Sequence, residues 1–130
     1  YQHIMHIVSD VYGNKRADVS PFEVISIVFP AGTLSGAPKI RAMELIGELE
    51  TYARNVYGGG IGFLHFNGNV QLAIVIRSAF FEAAHTNSRQ QRVFIQAGAG
   101  IVYDSVPERE YAEIQHKRAS VLNIFTQHCK

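Results

Sequence analysis

The chain has little of several features that would narrow its class at once. It holds one cysteine, Cys129, and no tryptophan among its 130 residues. A single cysteine excludes an internal disulfide and fits a reducing compartment. No run of apolar residues approaches the length that crosses a membrane. The formal net charge is only +1, so no excess of either sign predicts a nucleic-acid or membrane-surface partner.

What the chain does have is the composition of a soluble globular domain. Hydrophobic residues make up 47% of the sequence and charged residues 18%. A chain of this length is long enough for one domain with a real core. It begins at Tyr1 rather than Met, and its first residues resemble ordered structure more than a signal peptide. We therefore expect it to be a piece of a longer protein.

The pattern of apolar residues, turn residues and helix caps predicts helices interspersed with pairs of antiparallel strands. A capping box at Ser20-Pro21-Phe22-Glu23 predicts a helix start, and Asn67-Gly68-Asn69 predicts a tight turn. A second capping box, formed by Ser105 and Glu108, predicts the start of the last helix, and Ala83–Gln91 has the polarity of a loop. This arrangement belongs to the α+β class. The predicted elements are strands over Tyr1–Tyr12, Ile61–Phe66, Val70–Glu82, Val93–Gln96 and Ile101–Asp104, and helices over Pro21–Phe29, Pro38–Glu50 and Pro107–Gln127.

The stretch Gly32–Lys39 concentrates two glycines, two hydroxyl side chains and a lysine immediately before a predicted helix. Backbone N–H groups and a cation at a helix N-terminus suit a carboxylate or a phosphate. An ordinary helix-capping loop would have a similar composition. Both interpretations stay open on the sequence alone.

The last predicted helix places two carboxylates and a lysine on its apolar side. Glu110, Glu113 and Lys117 share an arc with Val121 and Ile124, because 100° separates successive residues. Carboxylates that face inward require a partner. The spacing fits an ion pair between Glu113 and Lys117, and it fits equally a site for a hard cation such as Mg²⁺.

Two further features could contact an anionic ligand. Arg77 stands in an apolar predicted strand, where its guanidinium needs an anion or a path to water. Gly98 and Gly100 would permit a ligand to approach the backbone closely, or would only form a bulge. His6 and Tyr57, taken singly, are equally compatible with structural roles. The sequence holds no dinucleotide fingerprint, no Walker loop and no zinc spacing.

Taken together, these segments resemble the chorismate-utilising enzymes, and within that family they are most similar to component I of anthranilate synthases. The resemblance runs through nearly the whole chain apart from Ala83–Gln91. It implies that residues 1–130 form a C-terminal portion of a catalytic domain built as a two-sheet α/β sandwich. The residues that carry it are Met5–Ser9, Phe29–Lys39, Arg41–Glu44, Tyr57–Gly59, Ile61–Gly62, Ala73–Arg77, Gln96–Val102, Asp104–Ser105 and Pro107–Glu113.

The resemblance implies roles for the residues at the matching positions. Tyr57 and Arg77 would hold the enolpyruvyl carboxylate of chorismate. The backbone of Gly98, Ala99 and Gly100 would line the same substrate.

The resemblance also implies a metal ion and a proton-transfer group. Glu113 would bind Mg²⁺, with Glu110 beside it, and the ion would hold the ring carboxylate. Thr33 would lie near the ring. His6 would assist the movement of a proton during the elimination of pyruvate.

The implied reaction converts chorismate and ammonia to anthranilate and pyruvate in tryptophan biosynthesis. A glutamine amidotransferase subunit, component II, would supply the ammonia, and the location would be the cytoplasm, or a plastid in a plant. The family's further metal-binding glutamate and a substrate-gripping segment, both upstream of His6, are absent from this chain. We therefore expect the chain alone to have little or no activity, and its isolated sheet to expose apolar surface.

Other functions remain open. Aminodeoxychorismate synthase, in the folate branch, shares most of these motifs, although the run Ala31–Ser35 is more similar to that of anthranilate synthases. Isochorismate and salicylate synthases use water in place of ammonia and tend to vary in that same run. A non-catalytic folding or docking module is the alternative outside the enzymes.

Overall fold

The computed structural model describes residues 8–82 and 92–128, which form four helices and four strands. Most of the predicted first strand, including His6, and the predicted loop Ala83–Gln91 lie outside the described residues. The remainder of that strand, residues 8–12, has no regular structure. The elements in order are α1 (Pro21–Val28), α2 (Gly32–Ser35), α3 (Lys39–Leu49), β1 (Gly60–Leu64), β2 (Val70–Ile74), β3 (Ala79–Phe81), β4 (Val93–Ile95) and α4 (Pro107–His128).

The first helix begins at the predicted capping box. The Glu23 N–H donates to the Ser20 hydroxyl at 3.2 Å, and the Ser20 N–H donates to the Glu23 carboxylate at 2.7 Å. Pro21 occupies the first helical turn, where its missing N–H has no cost. The predicted start and type of α1 are therefore confirmed, and the helix ends at Val28, two residues before Pro30.

The stretch Gly32–Lys39 contains a helical turn, α2, where we expected a loop. The N–H groups of Leu34 and Ser35 both donate to the Ala31 carbonyl, so the turn satisfies them internally. The Lys39 ammonium donates to the Val28 carbonyl at 3.2 Å and so links the start of α3 to the end of α1. The N–H groups of Leu34 and Ser35 are therefore not available to an anion.

The strands form two separate antiparallel pairs. Strands β1 and β2 form a hairpin in which Gly60 lies opposite Ile74 and Leu64 lies opposite Val70. Its turn is the predicted one, and the Asn69 N–H donates to the Asn67 side chain at 3.1 Å. Strand β3 pairs with β4, and these pairs together with the helices confirm the α+β class.

The prediction of one strand over Val70–Glu82 was wrong, because the chain turns between β2 and β3. The Ile76 N–H donates to the Ile74 carbonyl only two residues back, and Arg77 has a left-handed φ of 53°. Alternation of apolar residues continues through the turn, so the sequence pattern does not reveal it.

The predicted strand over Ile101–Asp104 was also wrong, because a turn uses its backbone groups. The Val102 N–H donates to the Ser105 hydroxyl, and the Ser105 N–H donates to the Val102 carbonyl. Helix α4 begins at Pro107, so Val106 occupies the cap position and Ser105 does not form the expected capping box. Local side-chain hydrogen bonds of this kind compete with strand pairing.

The core of the described residues is small. Val75 and Val121 are its buried hydrophobic residues, and the rings of Phe81 and Phe125 meet edge to face at 5.5 Å. On the hairpin, Phe63 is 68% exposed, in line with the expectation of apolar surface on this sheet. Within residues 8–82 and 92–128, no helix combines the length and apolar character needed to cross a bilayer.

Two glycine substitutions should change stability in opposite directions. An added Cβ at Gly47, within α3, meets no atom within 4 Å, so Gly47→Ala should stabilise the chain by about 0.5–1 kcal/mol. An added Cβ at Gly62 would overlap the Gln71 carbonyl oxygen across the hairpin, so Gly62→Ala should destabilise it by about 1–3 kcal/mol. Urea unfolding measures the free energy of unfolding of both variants. Equal changes in the two variants would contradict the hairpin register.

Candidate functional site

A cleft of about 740 Å³ lies between α2, the loop that follows α3, the turn between β2 and β3, and the segment before residue 101. It brings together most of the residues that the sequence marked as a site. Lys117, from α4, also lines it. The predicted site residues on its walls are Thr33, Tyr57, Arg77, Gly98, Ala99 and Gly100.

Tyr57 and Arg77 lie just beyond the two strands of the hairpin, one before β1 and one after β2. Beyond the ends of β1 and β2, the Gly58 N–H donates to the Val75 carbonyl and the Val75 N–H donates to the Gly59 carbonyl, both at 2.9 Å. Gly58 and Gly59 thus both lie opposite Val75, and Gly58 has a left-handed φ of 76°, so a glycine bulge ends the register that pairs Gly60 with Ile74. Tyr57 and Arg77 follow this bulge on the two sides of the hairpin, and both line the cleft.

The Arg77 guanidinium is available to an anion. Among the described residues it makes no hydrogen bond or ion pair, and the side chain is exposed at the cleft. Its charge still reaches α4, where it helps to lower the pKa of Glu113. A left-handed conformation is uncommon outside glycine and asparagine, and such residues are concentrated at functional sites.

The glycine-containing segment lies close to Tyr57 and is attached to α4. An added Cβ at Gly98 would lie 3.2 Å from the Tyr57 hydroxyl, so a side chain there would crowd the phenol. The Lys117 ammonium donates to the Gly98 carbonyl at 3.1 Å. Gly98 therefore lies between the tip of Tyr57 and the lysine of α4.

Helix α4 presents the predicted carboxylates with an ion pair already formed. The Lys117 ammonium pairs with Glu113, and this hydrogen bond is the main reason that the pKa of Glu113 lies below its usual value. Val121 is buried on the same arc and Glu110 is half-buried, but Glu113 is 51% exposed and Ile124 is also exposed. Neither Glu110 nor Glu113 lines the cleft directly; Lys117 does.

The carboxylates of α4 provide oxygen ligands but not a complete metal centre. In the described parts of the chain, no three His, Cys, Asp or Glu residues come together as a possible metal site. Glu110 and Glu113 lie three residues apart, so their side chains project from the same side of the helix. A role for either residue in binding Mg²⁺ stays a prediction.

The sequence analysis missed Arg54, a half-buried arginine on the wall of the cleft. Its Nε and Nη2 donate to the Glu50 carboxylate at 2.9 and 2.5 Å, and its Nη1 donates to the Leu34 carbonyl at 2.7 Å. The hydrogen bond from Arg54 lowers the pKa of Glu50, against the effect of partial burial. Spacing could have revealed the pair, since Arg54 follows Glu50 by four residues, but it gives no sign of the contact with Leu34.

The two predicted catalytic residues differ in what the structure says of them. Thr33 is exposed on α2 at the wall of the cleft, whereas His6 lies outside the described residues. In the same turn, Ser35 is buried and its hydroxyl donates to the Ala31 carbonyl at 3.3 Å. Of the two hydroxyl residues in this stretch, Thr33 is therefore the one on the cleft.

Comparison with known proteins identifies the family. The model of the chorismate binding enzyme family matches residues 1–123. The chain belongs to this family. The curated relatives include component 1 of anthranilate synthase from Acetivibrio thermocellus, which is 51% identical over 122 residues. The same component from Methanothermobacter thermautotrophicus is 52% identical over 122 residues.

A solved structure in the same family has a similar fold. The crystal structure of anthranilate synthase component I from Streptococcus pneumoniae matches with a TM-score of 0.74 and 44% identity, over 84% of this chain and 23% of that chain. The two curated relatives match over 94% of this chain and over 23% and 25% of their own lengths. The chain thus spans about a quarter of the length of the proteins it matches, and the expected resemblance is confirmed.

The contribution of Glu50 to stability should depend on pH. Arg54 holds the folded-state pKa of Glu50 below the usual 4.5, so the pair stabilises the chain above that pH. The contribution is lost as the pH falls through the folded-state pKa. Glu50→Gln should therefore lower the free energy of unfolding near pH 7, by less than about 1 kcal/mol because the pair is partly exposed to solvent.

Urea unfolding of Glu50→Gln and the wild type between pH 3 and pH 7 measures this difference. The same substitution in an Arg54→Met background is the control, because its effect should no longer vary with pH. A difference between Glu50→Gln and the wild type that persists unchanged at the lowest pH would contradict the assignment.

Proposed function

We propose that this chain is the chorismate-binding part of an anthranilate synthase component 1, which converts chorismate and ammonia to anthranilate and pyruvate. The observation that carries the proposal is that Tyr57, Gly98 and Arg77, a cation without a carboxylate partner among the described residues, line one cleft. The identity of about half with relatives named for this activity supports it.

The arrangement suits one end of a small dianion. A guanidinium without a carboxylate partner among the described residues and a phenol on the same cleft can hold the enolpyruvyl carboxylate together. Gly98, Ala99 and Gly100 would let the backbone lie against the substrate. Thr33, on the wall formed by α2, would lie near the ring.

The oxygen ligands of Glu110 and Glu113 fit Mg²⁺, which proteins commonly hold through one or two carboxylates and the anionic substrate. When bound, the ion would supply a Lewis acid at the ring carboxylate. In the absence of Mg²⁺, the Lys117 ammonium neutralises the Glu113 carboxylate. The Glu113 carboxylate becomes available to a cation once Lys117 exchanges that partner for another anion.

The proposed chemistry replaces the ring hydroxyl by an amino group and then eliminates pyruvate to form the aromatic ring. A general acid must protonate the departing hydroxyl, and a base must remove the ring proton during elimination. We assign the proton movement of the second step to His6. Glutamine amidotransferase, component II, is the proposed source of ammonia, tryptophan biosynthesis the proposed pathway, and the cytoplasm the proposed location.

Chorismate with Mg²⁺ should raise the melting temperature of the 130-residue chain by several degrees, because a ligand that binds only the folded state stabilises it. Arg77→Ala and Glu113→Gln should each remove most of that rise. Arg92→Ala and Glu108→Gln are matched controls, since both residues are exposed and neither lines the cleft. Scanning calorimetry measures the shift, and its absence from the folded wild type would contradict the proposed site.

Catalysis is tested by inserting this chain in place of the matching residues of the Acetivibrio thermocellus component 1. With chorismate, Mg²⁺ and an ammonium salt, the folded chimera should release anthranilate and pyruvate, identified by mass and fluorescence. The chain alone should show little turnover. An amino product that retains pyruvate would assign the folate branch, and a folded chimera without any product would favour a docking module.

A further inference from the structure

Arg54 connects two walls of the cleft that are far apart in sequence. Its guanidinium is bonded to the Glu50 carboxylate just beyond the end of α3. The same group donates to the Leu34 carbonyl in α2, twenty residues away, at 2.7 Å. One side chain thus fixes the position of the turn that carries Thr33 relative to the end of α3.

The backbone of Arg54 is joined to the third wall as well. Its carbonyl accepts from the Tyr57 N–H at 2.9 Å, so the guanidinium and Tyr57 belong to one short turn. The Leu34 side chain lies against Gly58, where an added Cβ would be 3.4 Å from its Cγ. Arg54 and Leu34 therefore hold α2 against the residue that follows Tyr57.

A planar guanidinium is required for this geometry. Nε and Nη2 bind the two carboxylate oxygens while Nη1 points in another direction, to the carbonyl. A lysine ammonium could satisfy the charge of Glu50, but it lacks the rigid fork that serves both partners at once. The side chain of Arg54 is 26% exposed, so the carbonyl of Leu34 would depend on water once the fork is lost.

We propose that Arg54 is a positioning residue for chorismate, which sets the distance between Thr33 and Tyr57 without contacting the reacting atoms. The inference rests on the proposed function. Replacing Arg54 should weaken only the binding of chorismate, because Arg54 makes no contact with Glu110 or Glu113 on α4. Arg54→Lys should raise the KM for chorismate roughly 10- to 100-fold, the scale expected when binding groups move by about 1 Å.

The experiment compares Arg54→Lys with Arg41→Lys in the chimera. Arg41 is a matched control because it also pairs with two glutamates, Glu44 and Glu48, but on an exposed face of α3 away from the cleft. The Mg²⁺ concentration for half-maximal activity and the KM for ammonium should stay unchanged in both variants. Only Arg54→Lys should raise the KM for chorismate.

A double variant tests whether Arg54 acts through Tyr57. If it does, adding Tyr57→Phe to Arg54→Lys should raise the KM by less than the product of the two single effects. Circular dichroism and melting temperature report folding, and Glu50→Gln, which leaves the arginine in place, replaces Arg54→Lys if that variant unfolds. Glu50→Gln should cause a smaller change in the same direction.

The outcomes separate the two proposals. A wild-type chimera that folds but does not bind chorismate would overturn the proposed function, and this inference with it. A wild type that turns over chorismate, with Arg54→Lys within twofold of it, would overturn only the positioning role. Equal losses for chorismate, Mg²⁺ and ammonium would also overturn it, since they would indicate a general loss of structure.

Discussion

Two backbone hydrogen bonds between Val75 and the Gly58–Gly59 pair determine where the cleft forms. They carry the hairpin beyond its regular strands, and Val75 is buried where they do so. Past that point both strands of the hairpin leave their pairing, and Gly58 and Arg77 have left-handed conformations. Tyr57 and Arg77 therefore leave the hairpin at these turns, and both line the cleft. The loop after α3 and the turn before β3 depend on the same two bonds.

The balance of charge in the cleft follows from this frame. Three cations from the described part of the chain line it, and two of them have carboxylate partners: Arg54 with Glu50, and Lys117 with Glu113. Among the described residues, the guanidinium of Arg77 has no such partner. The paired cations hold structural elements in place, and the remaining positive charge favours an anion. The proposed carboxylate ligand would therefore be attracted to the cleft without an overall basic surface.

Local signals in the sequence predicted the parts of the fold that local interactions decide. The capping box at Ser20 and the tight turn at Gly68 depend on residues three or fewer apart, and both were confirmed. The break in the strand before Arg77 follows the pairing of Val75 with Gly58, seventeen positions away, so alternation of apolar residues could not reveal it. The sequence also showed which side chains of the site could bind an anion or a cation. It did not reveal Arg54, because the decisive partner of that side chain is the carbonyl of Leu34. The roles assigned to Tyr57 and Arg77 came from resemblance, and the cleft that both residues line supplies an independent reason to link them.

The walls of the cleft are held together mainly by polar contacts, and this affects the affinity that the cleft can have for a ligand. Val75 and Val121 are the buried hydrophobic residues of the described chain, whereas Ile61 and Phe63 on β1 remain largely exposed. A two-stranded hairpin with exposed faces is marginally stable in water. Because Tyr57 precedes β1 and Arg77 follows β2, fraying of the hairpin would separate the two groups proposed to hold one carboxylate. A surface that covers β1 would therefore stabilise the paired state and raise the affinity for the proposed ligand, and the ligand would in turn strengthen that contact by the same factor.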